Sequence, residues 1–249
     1  MVSVMVLAIA TACTNSVAQE NRGASGESVA ETRQSGAVVT RDYDLRGFNR
    51  VALSTPDNVE VVQGQGFAVR ASGRSAILDE LELRVENGAL EIGYRHRDSG
   101  RGWDRPDGDP ATIFITMPSL SGVSLAGSGD MNVGRFVAQN FEASIAGSGN
   151  IAIESLQVDE AEFEIAGSGD LSVAGTAGAV DLDIAGSGDV AAGDFRAQRL
   201  DVDIAGSGDV SAYVTETVQA SFVGSGDVVV RGGAECRSSA IGSGRLRCN

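Results

Sequence analysis

The sequence predicts an all-β protein: a single-stranded parallel β-helix (β-solenoid) with coils of about 20 residues, preceded by irregular coils. Three observations predict it. The tripeptide Gly-Ser-Gly occurs seven times, at 127–129, 147–149, 167–169, 186–188, 206–208, 224–226 and 242–244. A fixed period near twenty, with β-type segments between copies, is the mark of a stacked repeat. Between the copies apolar and polar residues alternate, as in half-buried strands. Charge follows the repeat as well: Ser121 to Val230 holds seventeen Asp or Glu against three Arg, so nearly all of the net charge of −15 lies there. Such an asymmetry reads as the solvated outside of the coils.

Taken from the N-terminus, Met1 to Ala12 is an apolar run ending in small residues before Cys13. It is too short to span a bilayer as a helix. It reads as a secretory h-region with a small-residue cleavage site, although the usual basic n-region is missing. Two cleavages compete. One lies before Cys13, where Ile-Ala-Thr-Ala-Cys has the form of a degenerate bacterial lipobox and Cys13 would be lipidated. The other lies after Ser16-Val17-Ala18. Residues 1–18 are thus expected to be a signal segment, 19–37 a polar tether without periodicity, and 38–249 the folded domain.

From Val38 to Met117 the pattern is β-rich but irregular. Val59-Glu60-Val61-Val62, Leu81-Glu82-Leu83-Arg84-Val85 and Leu90-Glu91-Ile92 alternate as strands. Asn87-Gly88 between two such runs is a hairpin signal that can equally turn a solenoid corner. Ile113-Phe114-Ile115-Thr116-Met117 is a further strand closed by Pro118.

The regular coils follow. In one of them Ile165, Leu171, Val173, Val180, Leu182 and Ile184 point to one side, and Glu164, Asp181 and Asp183 to the other. Three short strands joined by corners make a coil, and equivalent strands of successive coils pair in parallel about 4.8 Å apart. Glycine at the recurrent corner supplies positive φ without a Cβ clash. The serine between the glycines can bond its stacked copies or the corner backbone.

The residue after each Gly-Ser-Gly forms a column: Asp130, Asn150, Asp170, Asp189, Asp209, Asp227 and Arg245. Like charges stacked this closely repel, so the column needs a compensating role. Either each side chain caps its own corner by accepting backbone N–H bonds, or Asp130, Asp170, Asp189, Asp209 and Asp227 bind cations such as Ca²⁺ through oxygen. The calcium-binding nonapeptide spacing is missing, and Asn150 suits a turn better than a cation ladder.

Cysteine usage fits export. Cys236 and Cys248 lie twelve residues apart in the final repeats and can pair, leaving Cys13 as the odd residue. The alternative is three free thiols in a reducing cytosol. One histidine and no Cys-x-x-Cys argue against a zinc site.

The ordered succession Asn-Val-Glu-Val-Val-Gln-Gly, Glu-Asn-Gly-Ala-Leu-Glu-Ile, Ile-Thr-Met-Pro-Ser-Leu and repeated Gly-Ser-Gly-Asp-Val resembles the bacterial putative auto-transporter adhesin head (GIN) domain family over residues 38–249. The resemblance implies an exported, right-handed β-helix carried behind a lipoprotein or secretory signal. It brings no catalytic residues and no cofactor.

Two further places invite a site. The polar stretch from His96 to Pro110 holds the only Trp, and Arg101, Trp103 and Arg105 could stack on a sugar or an aromatic group. The competing reading is a solvated strand connection. Glu142, Glu154, Asp159, Glu160, Glu162, Glu164, Asp181, Asp183, Asp201 and Asp203 are acidic enough for a polysaccharide-cleaving groove, but their alternation places them on the outer face. Nucleophile-elbow, zincin and phosphate-loop motifs do not occur. A pI near 4.4 excludes a nucleic-acid binder, which needs a basic face.

The expectation is a non-catalytic module of the bacterial periplasm or outer membrane. Its ligand would be an envelope or surface glycan or protein, and it would meet the membrane only through a lipid anchor. A polysaccharide-active enzyme and an envelope-structural protein are the alternatives.

Overall fold

The computed structural model describes residues 37–95 and 108–249. The signal segment, Cys13, Arg101, Trp103 and Arg105 lie outside the described residues. The described chain is a β-solenoid of about six turns, 72% strand with one short helix, whose parallel pairings link residues about 20 apart.

The N-terminal part is built differently from the repeat. It comprises β1 (Val38–Tyr43), β2 (Arg50–Leu53), β3 (Asn58–Gln63), β4 (Ala68–Arg74), α1 (Ser75–Glu80), β5 (Leu81–Glu86), β6 (Ala89–Tyr94), β7 (Thr112–Met117), β8 (Gly122–Gly127) and β9 (Met131–Val137). β2 pairs in parallel with both β6 and β8, and β3 with both β7 and β9. The coil formed first along the chain is therefore clasped between two coils formed later. β4 runs antiparallel on β7, and β5 antiparallel on β6. Asn87 and Gly88, with φ of 49° and 79°, turn the β5–β6 hairpin, so the Asn-Gly signal acts here as a hairpin turn. β1 pairs antiparallel with the outer side of β4. α1 links β4 to β5 and buries Ile77 and Leu78 in the core, which closes this end of the stack.

The regular coils are β10 (Asn140–Gly147), β11 (Ile151–Gly167), β12 (Leu171–Gly186), β13 (Val190–Gly206), β14 (Val210–Gly224), β15 (Asp227–Arg231), β16 (Glu235–Gly242) and β17 (Arg245–Cys248). β11 to β14 each run through most of a coil as one bent strand, where three separate strands were expected. The corner after Ile153 is a register shift that leaves the ladder otherwise continuous. In-register pairing stacks Leu125, Ile145, Ile165, Ile184, Ile204 and Phe222 inside, all buried. Phe136, Phe141, Phe163 and Phe195 fill the rest of the width, and the rings of Phe163 and Phe195 lie 6.0 Å apart. Each such side chain contributes roughly 1.5–3 kcal/mol on burial.

The two glycines of each corner are needed for different reasons. Gly206 has φ of +146°, and a Cβ there would overlap the carbonyl oxygen of Gly186 one coil earlier. Gly208 has no unusual φ, but its Cβ would overlap the carbonyl oxygen of Gly188 and crowd Ile184 beneath it. The serine between them is exposed, and its backbone does the stacking work. The N–H of Ser207 donates to the carbonyl of Gly186 at 2.9 Å, and the same bond recurs from corner to corner.

Candidate functional site: the acidic face and its exposed apolar ridge

Alternation and register together write columns onto the outside of the solenoid. Gly122, Glu142, Glu162, Asp181, Asp201, Gln219 and Arg237 form one column. Two residues on, Ser124, Ser144, Glu164, Asp183, Asp203, Ser221 and Ser239 form the next. Six carboxylates therefore make a grid two columns wide and three coils tall, about 4.8 Å between coils. Glu142 has Arg50 at 3.4 Å. Among the described residues no ion pair reaches Glu162, Glu164, Asp181, Asp183, Asp201 or Asp203.

The electrostatic consequence is visible in two members. Partial burial, and then the neighbouring charges of Asp181 and Asp203, hold the carboxyls of Asp183 and Asp201 above the ordinary carboxylate value. Glu142, Glu160, Glu162, Asp181 and Asp201 line a groove of about 700 Å³ with Arg199 and Arg237. All of these carboxylates project side by side from one sheet surface.

A third column borders the grid. Ala126, Ala146, Ala166, Ala185, Ala205, Val223 and Ile241 are in register and all exposed, the last two by 59% and 76%. A shallow, largely apolar trough runs along them beside Glu164, Asp183 and Asp203.

The column after Gly-Ser-Gly is exposed too, apart from the half-buried Asp227, but its side chains are occupied. The N–H of Asn150 donates to the Asp130 carboxylate, that of Asp170 to the Asn150 amide oxygen, that of Asp189 to Asp170, that of Asp209 to Asp189, and that of Asp227 to Asp209, at 2.8–3.2 Å. Each side chain thus caps the corner one coil later rather than its own. Asn58 opens the ladder by accepting from the N–H of Asp130 at 3.3 Å. Arg245 ends it, and Arg247 pairs with Asp227 at 3.4 Å. Among the described residues no three His, Cys, Asp or Glu side chains are placed to hold a metal ion.

Cys236 and Cys248 are joined by a disulfide that ties β16 to β17 across the last coil, with Cα atoms 6.7 Å apart. Among the described residues no helix is long and apolar enough to cross a membrane.

One polar residue of structural weight escaped the sequence reading. Asp57 is 0% exposed and takes the place of an inward corner glycine, since a Cβ on Gly129 would overlap the Asp57 carbonyl. Its carboxylate accepts the Tyr94 hydroxyl at 2.7 Å and the Ala111 N–H at 2.8 Å. It therefore ties together the two ends of the chain leading into and out of the 96–107 segment. The only signal was a Thr-Pro-Asp-Asn turn at the position of the later Gly-Ser-Gly-Asp corners, and that equivalence is visible only once the coils are in register.

A family model described as "Putative auto-transporter adhesin, head GIN domain" matches residues 47–234. Among solved structures, a putative adhesin from Bacteroides fragilis NCTC 9343 superposes with a TM-score of 0.76 at 26% identity, covering 86% of this chain and 98% of that one. A putative lipid binding protein from Parabacteroides distasonis ATCC 8503 gives 0.66 at 22% identity, covering 86% and 97%. A putative adhesin from the same strain gives 0.67 at 16% identity, covering 86% and 98%. The latter two likenesses establish the fold alone. A search of curated proteins finds no match.

Proposed function

Because the chain belongs to the family of putative auto-transporter adhesin head GIN domains, we propose that it is an exported, non-catalytic binding module of the bacterial cell envelope. One observation carries this reading. Six carboxylates with no ion pair among the described residues stand in register on one exposed outer face, along an open groove and an apolar ridge. A surface of that form suits a partner laid across it. The apolar run before Cys13 is read as an export signal, and Cys13 is the proposed point of lipidation. The disulfide between Cys236 and Cys248 supports an oxidising compartment.

Binding of the full chain to isolated envelope preparations tests the proposal. Saturable retention, displaced by excess unlabelled chain and leaving envelope polysaccharide uncleaved, is the expected result. Release of soluble sugar fragments would replace the binding reading with the hydrolase one, and non-saturable retention would leave no specific partner. Mass spectrometry of the mature N-terminus tests the anchor: a diacylglyceryl Cys13 is expected, and a chain beginning at Gln19 would refute it.

A further inference from the structure

We propose that the apolar ridge of Ala166, Ala185, Ala205, Val223 and Ile241, with the carboxylates of Glu164, Asp183 and Asp203 along one side, is the docking surface for a basic amphipathic polypeptide segment. The inference rests on the binding-module reading and adds the site and the chemistry of the partner.

The ridge is an exposed sheet face that nothing in the described chain covers. It grows in bulk toward the C-terminal coil, where Val223 and Ile241 stand 59% and 76% exposed. From Ala146 to Ile241 it crosses six coils, about 24 Å at the strand spacing. A solvated face has no need of a continuous apolar column, and contiguous exposed apolar surface marks an interaction site. The small alanines leave a trough beside the carboxylate column, so an apolar side chain can settle there.

Charge decides the occupant. Glu164, Asp183 and Asp203 lie directly along one flank, the exposed Asp170, Asp189 and Asp209 lie beyond the corner serines on the other, and none of Glu164, Asp183 or Asp203 has an ion pair among the described residues. Partial burial, and then repulsion from Asp181 and Asp203, already hold Asp183 above its ordinary value, so a cation brought beside it relieves a standing cost. A second copy of this chain fits poorly: it would bring a face carrying the same unpaired carboxylates and no cation to answer Glu164, Asp183 and Asp203. An anionic lipid surface is repelled for the same reason. A segment with an apolar stripe and Lys or Arg to one side satisfies both columns at once.

The test uses the full chain and three synthetic peptides. One carries Leu along one face with Lys beside it; the second replaces each Leu by Ser; the third replaces each Lys by Glu. Affinity is measured by fluorescence anisotropy at two salt concentrations. The first peptide is expected to bind at least tenfold more tightly than either control, and to weaken with added salt. Glu164→Gln/Asp183→Asn/Asp203→Asn and Val223→Ser/Ile241→Ser should each reduce that binding at least tenfold with the circular dichroism spectrum unchanged. Equal binding of the Leu and Ser peptides would reduce the effect to general attraction between opposite charges and overturn the proposal. Failure of all three peptides would overturn it too. Saturable envelope binding that survives both variants would leave the module a binder while moving its site elsewhere, so the two readings fail separately.

Discussion

The backbone N–H of Asp227 donates to the carboxylate of Asp209 at 2.8 Å, one coil below it. The bond turns a column of like charges into a ladder of corner caps. Each carboxylate is stabilised by a backbone donor of the coil above, and each coil is held in register by the side chain beneath. Asn150 performs the same task with an amide oxygen, which shows that the column needs an acceptor and not a charge.

Replacing Asp209 by Ala should therefore cost about 1 kcal/mol, the usual worth of a cap, whereas Asp209→Asn should stay within about 0.5 kcal/mol of wild type. Urea denaturation measures both. The midpoints should be the same in EDTA and in millimolar calcium; a calcium-dependent rise lost in Asp209→Asn would return the column to cation binding.

The corner glycines give a sharper contrast. Gly206→Ala meets both a positive φ and the Gly186 carbonyl, and Gly208→Ala meets the Gly188 carbonyl. Each should cost about 3 kcal/mol or more, because a stacked backbone cannot move aside. Gly193 has nothing within 4 Å of its Cβ position and no unusual φ, so Gly193→Ala should be neutral or stabilising by up to about 1 kcal/mol.

Asp183 and Asp201 predict a pH dependence. Their folded values are raised, so the folded chain holds more protons than the unfolded one at and just above the ordinary carboxylate range. Their contribution thus destabilises the fold as pH rises through that window and is relieved as pH falls through it. Asp183→Asn/Asp201→Asn should be more stable than wild type at pH 7, with the difference shrinking toward zero as the pH is lowered below the ordinary carboxylate value. Thermal melts across that range check the sign.

Asp57→Ala would remove one acceptor of the Tyr94 hydroxyl and leave the buried Ala111 N–H without its carboxylate. A loss of about 3 kcal/mol is expected, against about 1 kcal/mol for Tyr94→Phe, which removes only one of the two bonds. Hydrogen exchange in β6 and β7 should accelerate more in the former.

Residues from Gly122 onward were legible because each contact is local in the repeat: Ile165 meets Ile184 at an offset that Gly-Ser-Gly already displays. The N-terminal part was not. Leu53 pairs with both Ile92 and Leu125, and no period announces that a coil will be clasped between two later ones. The antiparallel β4 and β5, and α1 between them, end the stack, so they lack the repeat that made the rest readable. The outward acids were placed correctly by alternation. The apolar ridge beside them went unnoticed because alanine at an outward position looks unremarkable until register lines up five of them with Val223 and Ile241.

The central claim is that this chain binds through the outer face of its coils. The most direct measurement is a saturation isotherm of the full chain on isolated envelopes, comparing wild type with Glu164→Gln/Asp183→Asn/Asp203→Asn and with a control at Asn132 and Ser172, which lie on a different face. The account predicts at least a tenfold weaker affinity for the acidic-face variant and an unchanged affinity for the control. Identical isotherms for all three proteins, or cleavage of envelope polysaccharide by any of them, would contradict it.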